Sequence, residues 1–251
     1  MMKTLSFVFV SALLSGVFII SGCKNETTST TSSAALSDDD AANLIAASLA
    51  GKSSTNGLTA QMEDAASYAA GGPLGKRTSA EWDTTIVRSD TIGAYSYNYL
   101  FRYSAEFSNF GNRLDVTYSM HGTYDIPRFS SDDSANAGMT ITHIIDPDSE
   151  YTFNVTYVRL GSETSKIGNR RSFTSTISIM LTNVKVGKAS RRVNSGTASA
   201  TVSGQISGGR SFSYFVTINF LGNQVATVSF KGKTYSVNLT TGTATASDVV
   251  Q

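Results

Sequence analysis

This chain of 251 residues contains few cysteines, histidines and prolines, and its net charge is small. The single cysteine, Cys23, has no second thiol for an internal disulfide, and the two histidines show no spacing typical of a zinc site. With only three prolines and 21 glycines, the chain is not of low complexity. Its 20 basic and 19 acidic side chains give a net charge of +1, without the basic excess typical of nucleic-acid binding.

Catalytic motifs are also lacking. The chain has no Gly-x-Ser-x-Gly elbow, and its glycine-rich stretch at residues 71–77 does not follow the phosphate-binding pattern of a P-loop. Asp146, Asp148 and Glu150 alternate as in calcium-binding loops, but they lack the glycine and the distal glutamate of an EF-hand. We therefore interpret them as a hairpin turn, and we expect no enzyme activity, no cofactor and no metal ion.

The first 22 residues have the layout of a secretory signal. A short positive start precedes an apolar run from residue 5 to residue 20, and the small residues Ser21 and Gly22 follow. The run is shorter than the roughly 18 to 20 apolar residues that a membrane-spanning helix needs. We therefore interpret residues 1–22 as a signal peptide that is removed by cleavage.

The sequence Ile20-Ser21-Gly22-Cys23 resembles the lipobox of bacterial lipoproteins. This resemblance implies a diacylglyceryl group on the thiol of Cys23 and a stable anchor of two or three acyl chains, such as palmitate. Lys24 is compatible with sorting to the outer membrane in that class, on the periplasmic side or at the cell surface. Residues 23–36 are then the lipidated cysteine and a flexible tether, because they contain almost no large apolar side chain.

Two short helices are predicted within a helical segment at residues 37–75. Ser37 and the three aspartates after it form a helix start, because the hydroxyl is a good cap and carboxylates favour the positive end of the helix dipole. A second, weaker helix is predicted from Thr59 to Ala70. Helices this short are not stable alone in water, so we expect both to dock on the remainder of the chain.

Apolar and polar residues alternate with the period of β-strands through much of residues 76–251. About eight to ten strands are joined by mostly short connections, which predicts an antiparallel meander. We expect a mainly β domain, a curved sheet, half-barrel or barrel with the helices packed on it. The Ser-, Asp- and Asn-rich stretch at residues 125–138 is predicted to be a loop, and a shift in apolar phase predicts a β-bulge near Asn183.

Long strands with an aromatic concave face and a helical lid resemble, in architecture, the lipoprotein carriers and lipocalins. Residues 220–245 also look like the end of uncharacterised Bacteroidetes lipoproteins. The aromatic faces predict a site for an apolar ligand or lipid, lined by Tyr95, Tyr97, Tyr99, Phe101, Tyr103, Phe212 and Tyr214. The alternative is a structural or protein-interaction module of the envelope with a filled core. The expected partners are the membrane, through Cys23, and an apolar molecule or an envelope protein.

Overall fold

The computed structural model describes residues 36–71, 81–167 and 170–247. Cys23, the signal peptide and nearly all of the predicted tether lie outside these ranges, so lipidation stays a prediction. In the described ranges no helix is long and apolar enough to cross a membrane.

Two helices precede an array of eleven strands. The helices are α1 (Asp38–Leu49) and α2 (Leu58–Gly71). The strands are β1 (Glu81–Ile92), β2 (Tyr95–Ser108), β3 (Arg113–Asp125), β4 (Phe129–Thr142), β5 (Glu150–Ser165), β6 (Ser172–Gly187), β7 (Val193–Ile206), β8 (Ser211–Gly222), β9 (Val225–Phe230), β10 (Lys233–Asn238) and β11 (Thr243–Ala246).

All eleven strands belong to one sheet, in which each strand pairs with its neighbours in sequence order. Each strand pair is antiparallel, which confirms the predicted meander. The first and last strands are not paired with each other, so the sheet is curved rather than closed. The predicted bulge is confirmed, because the β6–β7 pairing shifts between Thr182 and Lys185 and Asn183 adopts a positive φ of 56°.

The prediction of a loop at residues 125–138 is wrong. Most of it belongs to β4, which pairs with β3 and with β5 along its whole length. The buried positions of β4 include Ser131, Asp133, Ala135 and Ala137, which are polar or small. Buried and exposed residues therefore alternate along β4, but apolar and polar residues do not. For this reason the hydropathy pattern does not predict this part of the strand.

The curved sheet packs against the two helices on its concave face. In α1, nine of the twelve residues are buried, and Ser37 caps its start by accepting a hydrogen bond from the Asp40 amide at 3.0 Å, as predicted. Asn43 covers the free edge of β11, because its side-chain amide pairs with the backbone N–H and C=O of Ala244 at 3.1 and 3.4 Å. One edge of the sheet is thus capped by α1.

Candidate functional site

The aromatic residues predicted on β2 form a row along the strand. Successive ring centroids are separated by 6.2 Å for Tyr97–Tyr99, 5.7 Å for Tyr99–Phe101 and 5.9 Å for Phe101–Tyr103. The last three of these residues are buried, whereas Tyr95 and Tyr97 are partly buried against the core. α2 lies over the row, since the Tyr103 hydroxyl donates a hydrogen bond to Oε1 of Gln61. The Tyr103 end of the row is therefore covered by the protein's own helix.

The aromatic residues predicted on β8 lie elsewhere on the inner face. Phe212 and Tyr214 are buried with their rings 5.9 Å apart, and the five strands β3 to β7 separate them from β2. The Tyr214 hydroxyl donates to the carbonyl of Leu36 at 2.8 Å, and Lys231 Nζ lies 4.3 Å from the centre of the Tyr214 ring. The two predicted groups thus have separate surroundings and are not brought into direct contact.

Three charged side chains are buried on the inner face between these groups. Arg159 and Glu163 of β5 and Asp133 of β4 each expose at most 2% of their surface. Arg159 Nε lies 2.5 Å from Asp133 Oδ2, and Asp133 Oδ1 accepts a hydrogen bond from the Tyr99 hydroxyl at 2.9 Å. The guanidinium also lies 4.9 Å from the centre of the Tyr124 ring. We refer to Asp133, Arg159 and Glu163 as the polar centre.

Gly161 makes room for the carboxyl group of Glu163. In the sheet, Gly161 pairs with Asp133 on β4 and with Ser175 on β6. A Cβ atom at Gly161 would lie 2.1 Å from Glu163 Oε1, so only glycine leaves the space that this carboxyl group fills. The same Oε1 atom accepts a hydrogen bond from Ser175 Oγ at 2.6 Å. The glycine thus allows a carboxyl group to lie within the packed inner face.

One hydroxyl group connects the polar centre to α1. Arg159 Nη1 donates a hydrogen bond to Ser48 Oγ at 2.7 Å, and that hydroxyl donates in turn to the carbonyl of Leu44 at 2.9 Å. Ser48 is fully buried, so both bonds are shielded from solvent. The position of α1 is therefore linked directly to the guanidinium of Arg159.

Several polar atoms of this region have no hydrogen-bond partner among the described residues. They are Arg159 Nη2, Glu163 Oε2 and the hydroxyls of Ser131, Tyr118 and Tyr157. Arg159 Nε and Asp133 Oδ2 form the ion pair but are not aligned as a hydrogen bond. The Tyr124 hydroxyl lies near Arg159 without an aligned hydrogen bond. Because most buried polar atoms in proteins are paired, such a concentration sets this region apart from an ordinary core.

Burial governs the ionisation of the polar centre. It raises the pKa of Glu163 to about 7, although Arg159 and the hydrogen bond from Ser175 oppose the change. Burial also raises the pKa of Asp133, and the adjacent Arg159 opposes it. The phenol of Tyr124 has its pKa raised to about 12 by burial, so it stays neutral. Near neutral pH, Glu163 therefore gains or loses a proton.

An open groove of about 520 Å³ lies across one end of β1 to β5. Most of its lining residues, such as Asn98, Thr123 and Asp132, point to the outer face of the sheet, opposite to the side chain of Glu163, although Tyr97, Tyr124 and Ser131 also contribute. Ser131 pairs with Tyr124 on β3 and with Glu163 on β5, so Glu163 is the cross-strand neighbour of a groove residue. Within residues 36–71, 81–167 and 170–247, no three His, Cys, Asp or Glu side chains are grouped so as to hold a metal ion.

The sequence contained a signal for two members of the polar centre. The alternation of Tyr151, Phe153, Val155 and Tyr157 places every second residue inward, and the same phase continues to Arg159 and Glu163. Charged residues at inward positions of a strand indicate a buried polar site. Asp133 gave no such signal, because its strand was predicted to be a loop.

No protein-family model, curated protein or solved structure matches this chain. The resemblances to lipoproteins and carriers therefore stay predictions. Any function has to be argued from the residues and the geometry described above.

Proposed function

We propose that this chain is a non-catalytic, lipid-anchored protein of the cell envelope that acts as a structural or protein-interaction module. The observation that carries the proposal is the filled concave face, where α1 is buried and α2 covers the Tyr103 end of the aromatic row of β2. A surface already covered by the protein's own helices is less available to a ligand. Contacts with other envelope proteins would be made by the exposed surfaces.

The first described residues support a tethered domain. Leu36 is held by Tyr214, and Asp38 accepts hydrogen bonds from Lys231 at 3.2 Å and from Lys233 at 2.7 Å. Residues 36–38 are thus held at one end of the sheet, next to the predicted tether. Attachment at this end of the sheet fits an anchor at Cys23 in the outer membrane, facing the periplasm or the cell surface, with residues 23–36 as the connection.

The anchor is tested with Cys23→Ser. We expect the wild-type protein to fractionate with membranes and to incorporate a labelled palmitate analogue, and the variant to do neither. A wild-type protein that carries no label would overturn lipidation. Cys23→Ala is the matched control, because it must behave like the serine variant if the thiol is what is modified.

The module itself is tested by crosslinking in the native envelope. We expect discrete crosslinked products with another protein, which persist when the aromatic row is altered by Tyr103→Phe. Recovery of the monomer alone would contradict the proposal.

A carrier of an apolar ligand or lipid is the competing function, and it requires the helices to leave the aromatic row. Titration of the whole chain with an apolar fluorescent probe separates the two functions. Saturable binding that strengthens in Tyr103→Phe, which loses its hydrogen bond to α2 but keeps the ring, would favour the carrier. We expect no saturable binding, because Tyr99, Phe101 and Tyr103 of the row are buried.

A further inference from the structure

We propose that the polar centre is a proton-binding site that couples the packing of α1 against the sheet to the surrounding pH. This inference is independent of the proposed envelope function, since it concerns the interior of the domain alone. It follows from the number of charges in the polar centre, from their unequal pairing, and from the contact between Arg159 and α1.

The charges of the polar centre do not balance when both carboxyl groups are ionised. The one cation is Arg159, and the anions are Asp133 and Glu163. The other titratable side chains that face them are tyrosines: Tyr99 on β2, Tyr118 and Tyr124 on β3, and Tyr157 on β5. β6 contributes Ser175 and α1 contributes Ser48, which carry no charge. An unpaired buried charge is costly, so one carboxyl group holds a proton.

The geometry identifies Glu163 as the group that holds this proton. Asp133 has a guanidinium 2.5 Å from one oxygen and the Tyr99 hydroxyl at 2.9 Å from the other. Glu163 has a single hydroxyl donor on Oε1, and its Oε2 has no hydrogen-bond partner in the described part of the chain. The better-paired carboxyl group ionises first, so Glu163 is the weaker acid and binds the proton.

Loss of the proton acts on α1 through Arg159. An ionised Glu163 attracts the guanidinium, whose Nη2 has no hydrogen-bond partner among the described residues. Any turn of Arg159 towards Glu163 weakens the hydrogen bond from Nη1 to Ser48, which links β5 to α1. Raising the pH therefore loosens α1.

The proton site is tested by carboxyl carbon NMR on the whole labelled chain. We expect one glutamate signal with a midpoint near pH 7, which is absent from Glu163→Gln. If every carboxyl group in the wild-type protein titrates below pH 5.5, the proposal is wrong. This wild-type result decides the matter even if the variant does not fold.

The coupling is tested by hydrogen exchange of the α1 amides from Leu44 to Leu49. After correction for the intrinsic rate, we expect exchange to be roughly tenfold faster at pH 8 than at pH 6, the effect of losing about one hydrogen bond. Glu163→Gln should abolish the difference, and Ser48→Ala should exchange fast at both values. Equal wild-type protection at both pH values would refute the coupling. The amides of β8 are the internal control, with no change expected.

Discussion

The two halves of the concave face bury their side chains in different ways. On β7 to β10 the inward residues are mostly aliphatic or aromatic, including Val202, Val216, Ile218, Val228 and Val237. The tyrosine hydroxyls there are paired, Tyr214 with the Leu36 carbonyl at 2.8 Å and Tyr235 with Asp39 at 3.2 Å. On β2 to β5 the same face carries the polar centre, with several polar atoms that have no partner in the described residues. We call these the apolar half and the polar half.

This difference indicates that pH-independent stability and the response to protons come from different parts of one sheet. Burial of aliphatic side chains in the apolar half contributes about 25 cal/mol for each Å² removed from water, whatever the pH. A buried ion pair contributes little net stability, because desolvation of the charges offsets their attraction. The polar centre, unlike the apolar residues around it, is therefore a poor means of stabilising the fold, and a response to protons explains the presence of its charged residues better. Variants in the two halves test this separation.

Removal of the guanidinium has the largest expected effect. Arg159→Met keeps much of the side-chain volume but leaves Asp133 buried without its cation. We expect a loss of about 4 kcal/mol in the free energy of unfolding, as for other broken buried ion pairs. Urea denaturation at pH 7 measures this value. The double variant Arg159→Met, Asp133→Asn is the control, and it should recover part of the loss because no unpaired charge remains.

The second variant, Glu163→Gln, is expected to raise the free energy of unfolding above neutral pH. The pKa of Glu163 is raised to about 7 in the folded protein from an ordinary 4.5, so the folded state binds the proton more tightly than the unfolded state. The stability that this proton provides is complete below pH 4.5 and is lost as the pH rises through 7. Glu163→Gln removes that loss, so the variant should match the wild type at pH 4 and exceed it by about 3 kcal/mol at pH 8.

Urea denaturation of both proteins at pH 4, 6 and 8 measures this difference. A constant difference across the three values would contradict a raised pKa for Glu163. Glu106→Gln, at an exposed position on the outer face of β2, is the matched control and should give no pH-dependent gain.

The third variant concerns the glycine between two residues of the polar half. Gly122 pairs with Tyr99 and with Asp133, and a Cβ there would lie 2.0 Å from the Asn98 carbonyl oxygen and 2.7 Å from a Tyr99 ring carbon. Gly122→Ala should therefore lower stability by about 2 kcal/mol, as overpacking does. Gly138→Ala is the control, because its Cβ would meet only Thr156 Oγ1 at 3.5 Å. Equal melting temperatures for both variants would contradict the expected clash.

The sequence predicted the two halves unequally. The antiparallel meander, the Ser37 cap and the bulge at Asn183 were visible because they depend on local patterns of hydropathy and capping. The polar centre was not predicted, since Asp133 lies on a strand whose buried positions are partly polar. The alternation of aromatic residues along a strand also does not show which element covers those residues in the fold. The position of α2 over Tyr103 depends on contacts between residues far apart in the chain, which periodicity does not report.

The smallest effect comes from the apolar half and completes the comparison. Ile218 is fully buried on β8, opposite Ala198 on β7 and Val228 on β9. Ile218→Val removes one methylene group, and we expect a loss of about 1 kcal/mol. Because the cross-strand neighbours Ala198 and Val228 carry no titratable group, the loss should be equal at pH 4, 6 and 8, in contrast to Glu163→Gln. A loss that varied with pH would mean that the two halves respond together, and that the proton on Glu163 acts on the whole sheet.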